Sequence, residues 1–184
     1  VALAPSPGLV FKAMGFGTDP REKDLTNSPV AGLYNALYSE VFDYVADRLG
    51  TSVSIVEPEH ELTLAPADIE IRAGTIPRGT VAATTWKWRG RFENGVTMLH
   101  SILWTSSHEL HGESDGGHWR LEIDGRPNVR VNLDLVDPNP DAPPGRPAMD
   151  GTAATLHHAL PHVVAAPPGF FELPAILPLS AGHG

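Results

Sequence analysis

Gly79-Thr-Val-Ala-Ala-Thr-Thr-Trp-Lys-Trp-Arg89, then Glu93-Asn94-Gly95, then Val96 to Thr105, is the stretch that decides the fold. Its first part is rich in β-branched and aromatic residues, which suit a pleated, half-buried surface. Asn-Gly supplies the positive φ values that a tight hairpin turn needs. Two long strands joined by a short turn are therefore expected, and alternation puts Trp86 and Trp88 on one face, where a covering helix would bury them. Upstream, Thr51 to Val56, Glu61 to Leu64 and Asp68 to Arg72 alternate apolar with polar residues and read as half-buried strands. Downstream, Trp119 to Gly125 and Asn128 to Leu135 read as another pair about Asp124-Gly125. The expectation is an α+β fold: a mainly antiparallel or mixed open sheet of five to seven strands, with helices packed on one face.

The first helix is read over about 29 to 49. Ser28 can accept a hydrogen bond from an orphan amide, Pro29 loses no bond at the first helical position, and Gly50 suits a left-handed cap. Leu33, Leu37, Val41, Val45 and Leu49 recur at i+4, with Tyr34, Tyr38 and Phe42 widening the stripe. A second helix is read from Thr152 to Val164, bent at Pro161 and stopped by Ala165-Ala-Pro-Pro-Gly169. The five prolines between 137 and 147 make a stiff connector, since too little chain follows them to fold alone. Residues 1–184 are read as a single domain.

Composition narrows the chemistry. With no cysteine there is no disulfide framework, thiolate nucleophile or thiol-ligated metal cluster, which fits a reducing, cytoplasmic setting. Thirteen basic against twenty-two acidic residues give −9, opposing the phosphate-neutralising attraction on which nucleic-acid binding rests. Neither nucleic acid nor a membrane is expected as a partner, and no run of 18 apolar residues occurs. Protonating all nine histidines would bring the net charge to zero, so solubility should be poorest in mild acid. Val1-Ala-Leu-Ala-Pro5 lacks the basic and apolar regions of a signal peptide and reads as a chain cut in mid-protein.

Few residues form a recognisable chemical motif. Gly15-Phe16-Gly17 is only a fragment of a dinucleotide loop and is better read as a turn. His158 and His162 have the i, i+4 spacing of paired metal ligands, but the glutamate of H-E-x-x-H is missing. His108, Glu109, His111, Glu113, Asp115 and His118 are denser in potential ligands, yet they lie in a Gly-rich stretch that reads as a solvated loop. No serine sits in a nucleophile elbow. Trp86, Trp88 and Trp104 could stack a ligand or fill a core.

Met14-Gly-Phe-Gly17, Leu49-Gly50, Ala73-Gly-Thr-Ile-Pro-Arg-Gly-Thr-Val-Ala82, Leu121-Glu-Ile-Asp-Gly-Arg-Pro127 and Ala159-Leu-Pro-His-Val-Val-Ala-Ala-Pro-Pro-Gly169 occur in an ordered series. In that series the chain, over about residues 6 to 179, resembles the C-terminal domain of dihydrodipicolinate-reductase-like NAD(P)H-dependent oxidoreductases. That group includes 2,4-diaminopentanoate dehydrogenase and the native amine dehydrogenases.

The resemblance implies a substrate-binding and dimerisation domain, with NAD(P)H held by a Rossmann domain that this chain does not contain. It also implies an amine, ketone or amino-acid-like substrate, a homodimer built through the sheet, and no activity for this chain alone. The residues carried over as a substrate wall are Phe16, Trp104, His158, Ala166, Pro167 and Pro168. No catalytic, cofactor or metal residue is assigned in this chain. His158 and His162 stand where the resemblance expects small side chains, so they bear on which substrate is taken. The rival expectation is a stand-alone domain that binds a small ligand or another protein without catalysis.

Overall fold

A computed structural model describes residues 12–22, 24–71, 73–111, 119–142 and 146–169. The chain divides into two compact units, Val1–Ser114 and Asp115–Gly184, the division falling before the proline-rich connector.

The first unit is organised by helix α1, Pro29–Arg48. Ser28 is extended, and its hydroxyl accepts from the Ala31 N–H at 3.2 Å. At the other end Gly50 takes a φ of 63°, and the Gly50 and Thr51 amides donate to Asp47 O and Ala46 O at 3.1 and 3.0 Å. This crossed pair of bonds satisfies carbonyls that the helix would otherwise leave open. Both ends therefore match the residues that announced them.

The strands are β1 (Val53–Leu64), β2 (Ile69–Ile71), β3 (Gly74–Ile76), β4 (Val81–Phe92) and β5 (Thr97–Thr105). β1, β4 and β5 form an antiparallel three-stranded sheet with β4 in the centre, while β2 and β3 form a short hairpin. Asn94-Gly95 makes the β4–β5 turn, with the Gly95 N–H donating to Phe92 O at 2.9 Å and Asn94 Oδ1 accepting from the Val96 N–H at 3.1 Å. β1 joins two of the expected strands into one and runs through Pro58. It is an edge strand among the described residues, the position where a missing N–H costs no ladder bond.

α1 packs on β1 and β4. Ala31, Phe42 and Ala46 meet Trp86, Trp88 and Phe92, with Tyr34, Tyr38 and Val45 at the margin. The expected leucine stripe is corrected here: Leu33 and Leu37 are 64% and 50% exposed. The tyrosine, phenylalanine and alanine face lies on the sheet instead, because its large rings fill the spaces beside the two tryptophans. Trp88 Nε1 donates to Asn35 Oδ1 at 3.0 Å. Trp88→Phe puts a smaller ring in a fully buried site and leaves that amide oxygen without its donor, so unfolding in urea should show a loss of about 2–3 kcal/mol.

The second unit holds an antiparallel ribbon, β6 (Trp119–Ile123) and β7 (Val129–Leu133), and helix α2, Arg146–Ala165, which continues through Pro161. α2 starts six residues before the expected Thr152, with Arg146 near both Asp137 and Asp150. The fold is therefore mixed α+β, but the single open sheet of five to seven strands is not found. Among the described residues three small sheets take its place. Alternation marks strands without fixing their partners, and after β5 the chain enters a 3-10 turn, His108–His111, instead of another hairpin. Among the described residues no helix is long and apolar enough to cross a membrane.

Candidate functional site

The Met14 to Gly17 segment is a turn tied to the start of β4. The Gly17 N–H donates to Val81 O at 2.9 Å, and the Val81 N–H donates to Thr18 O at 3.0 Å. These bonds seat Phe16, 6% exposed, among Ala65, Ile76 and Ala82, with Met14, Ile69, Ile71 and Leu110 around them. Beside this cluster lies a cleft of about 490 Å³. Lys12, Phe16 and Thr18 line it together with Ile71, Ile76 and Pro77 of the β2–β3 hairpin. The volume is in the range of small-molecule sites, and an apolar wall beside one ammonium group suits a small ligand with an apolar part and an acceptor.

Phe16 thus serves as core and as cleft wall at once. Trp104 lies on β5 opposite Thr84, 43% exposed, and is not among the walls of this cleft. His158, Pro167 and Pro168 belong to the second unit, where all three are exposed; Ala166, its N–H donating to Val163 O at 3.3 Å, is half-buried at the end of α2. Sequence reasoning missed Lys12 and the hairpin wall. A signal was present: Met14 to Gly17 and Ala73 to Pro77 lie in two of the segments that carried the resemblance, and they meet at this cleft.

A second constellation lies between α1 and the sheet. His60 stacks on Trp86, ring centroids 3.6 Å apart and planes 11° apart, and Tyr34 meets Trp86 edge-on. His100 lies 5.2 Å from Tyr38 and 5.7 Å from Trp88, centroid to centroid. Both His60 ring nitrogens, Trp86 Nε1 and His100 Nε2 are buried without a hydrogen-bond partner among the described residues. Burial holds both imidazoles below the usual histidine range, favouring the neutral rings. On the opposite face of the sheet Lys87 pairs with Glu61 and Arg89 with Glu59, and the Lys87 bond holds the Glu61 carboxyl below its ordinary range.

The described residues offer no group of three side chains placed to hold a metal ion. His111 Nε2 lies 3.1 Å from Thr105 Oγ1, while Glu113, Asp115 and His118 fall outside the described residues. A nicotinamide dinucleotide does not fit the Gly15-Phe16-Gly17 turn. The Gly17 amide is spent on Val81, and the next chain forms the Asp19–Glu22 turn, not the helix start that would receive a pyrophosphate.

No known family description matches the chain, and no curated protein matches it. Among solved structures, the chain is similar to amine dehydrogenase from Mycobacterium smegmatis, with a TM-score of 0.63 and 22% identity, over 88% of this chain and 44% of that one. This likeness concerns the fold, and the chain spans less than half the length of that protein.

Proposed function

We propose that the chain is the substrate-binding and dimerisation part of an NAD(P)H-dependent oxidoreductase acting on C–N bonds, as an amine dehydrogenase or dihydrodipicolinate-reductase-like enzyme. The observation that carries the reading is the fold likeness to an amine dehydrogenase over 88% of the chain. NAD(P)H belongs to another domain of the parent, consistent with the spent Gly17 amide. When bound there it would supply the hydride. The role of this chain is to hold an amine, ketone or amino-acid-like substrate and to keep water from it. Phe16, Trp104, His158, Ala166, Pro167 and Pro168 are proposed as its wall, and the chain is proposed to act in a homodimer.

The coding sequence around this chain is the first test. A strand, Gly-rich loop and helix in the same reading frame are expected, and an open reading frame encoding only these residues would overturn the proposal. In the parent enzyme, assayed for reductive amination with either nicotinamide, His158→Asn should raise KM about tenfold, the loss of one contact worth about 1.4 kcal/mol. The thermal midpoint should stay put, because His158 is exposed. Unchanged kinetics would remove His158 from the substrate wall. The cleft beside Phe16 also favours a second reading, a stand-alone small-ligand-binding or protein-interaction domain without catalysis, which predicts saturable ligand binding by this chain alone.

A further inference from the structure

The cleft beside Phe16 is built from parts that are fixed before any ligand arrives. The Gly17–Val81 and Val81–Thr18 bonds hold one wall. On the other, the Arg78 N–H donates to Asp68 Oδ1 at 2.8 Å and the Gly79 N–H to Ala65 O at 2.9 Å, which ties down the β2–β3 hairpin. Phe16 and Ile76, 6% and 3% exposed, are core as well as wall, so the space between them is not one they can collapse to fill. Charge enters at one point. Among the described residues Lys12 is the one ionisable side chain lining the cleft, and its ammonium group has no carboxylate partner, whereas Arg21, Lys87 and Arg146 are each paired.

We infer that this cleft binds a small monocarboxylate with an apolar body, the carboxylate on Lys12 and the body on Phe16, Ile71, Ile76 and Pro77. Charge selects the head group. An unpaired ammonium at the edge of an apolar wall attracts an anion, and a charge-assisted hydrogen bond is roughly twice as strong as a neutral one. An amine would set a second cation beside Lys12, and a zwitterionic amino acid would bring an ammonium group for which no described lining residue offers a carboxylate. A phosphate dianion would need more donors than Lys12 and the Thr18 hydroxyl supply. Shape selects the body, because a cleft of about 490 Å³ walled mostly by apolar side chains rewards each methylene that it takes from water. The inference rests on the second reading above, in which the cleft holds a small ligand, and names the class of that ligand.

Calorimetric titration of the full chain at fixed ionic strength tests it with acetate, butanoate, hexanoate, hexanamide and hexylamine. Affinity should rise about fourfold per methylene from acetate to hexanoate. Hexanamide and hexylamine should bind at least about tenfold more weakly than hexanoate. Lys12→Met should bring hexanoate down to the level of hexanamide, while Lys12→Arg should keep most of the affinity. Neither variant should move the thermal midpoint of the unliganded chain, because Lys12 is exposed. In methyl NMR spectra hexanoate should shift the Ile71 and Ile76 signals, and shifts confined to other methyl groups would overturn the site. Equal binding of acetate and hexanoate overturns the inference in favour of an exposed ammonium group that pairs with any anion. Equal binding of hexanoate and hexanamide overturns the carboxylate while leaving the small-ligand reading standing. Binding of none of these compounds overturns both, and does not touch the oxidoreductase reading, which depends on the parent's coding sequence and assay.

Discussion

Replacing Gly90 with alanine is expected to destabilise the first unit by about 3 kcal/mol, lowering the thermal midpoint by roughly 6–12 °C, and valine should do more. Gly90 is buried near the C-terminal end of β4, and its backbone is not in the left-handed region, so conformation alone does not demand glycine. What demands it is the Phe42 ring, fully buried, whose Cδ1 and Cε1 occupy the space a Cβ would take. Phe42 cannot swing aside freely, since it is fully buried between its own helix and the sheet, its ring 6.5 Å from that of Phe92. A glycine inside a strand otherwise costs about 0.5–1 kcal/mol relative to alanine. The sign of the effect therefore depends on Phe42. In a Phe42→Leu background, Gly90→Ala should become much less harmful, and the double-mutant cycle should return a coupling on the order of 1–3 kcal/mol. Additive losses in calorimetry would mean that Phe42 is not what holds Gly90 in place.

The same pair shows what was legible in the sequence. Ser28-Pro29, Gly50, Asn94-Gly95 and Asp124-Gly125 announced helix ends and hairpin turns, because capping and turn chemistry act within a few residues. Which face of α1 goes inward was not legible. Leu33 and Leu37 look like the better core stripe until β4 is known to present Trp86, Trp88 and Gly90 to that helix. Sheet membership failed for a related reason: β1 pairs with β4 across the intervening β2–β3 hairpin, a non-local choice that alternation does not encode. Phe16, expected in a substrate wall, lines the cleft, but the Ile71 and Ile76 wall needed the hairpin to fold back beside it. The His60–Trp86 stack likewise depends on the β1–β4 register, which a one-residue slip would have destroyed.

That stack sets the second large expectation, a loss of stability as pH falls through the histidine range. His60 and His100 are held neutral by burial, with folded-state values below the ordinary 6.5. At pH above about 6.5 both states are neutral and the rings cost nothing in protons. As pH falls below that value the unfolded chain takes up protons that the folded one refuses, so stability drops until the folded-state values are passed. Among the described residues no carboxylate offsets this on the helix side. The described groups against the two rings are Tyr34, Tyr38, Trp86 and Trp88, and Glu59 and Glu61 alternate with His60 onto the opposite face, paired with Arg89 and Lys87. His60→Phe keeps an aromatic ring on Trp86 and removes two buried nitrogens that have no partner among the described residues. At pH 8 the variant should gain about 1 kcal/mol, or 2–4 °C in the thermal midpoint, because an unpartnered polar group is replaced by an apolar one of similar shape. The gain should widen toward pH 5, where only the unaltered chain must keep a second imidazole uncharged. Parallel midpoint-versus-pH curves for the two proteins would show that His60 has no part in the acid transition.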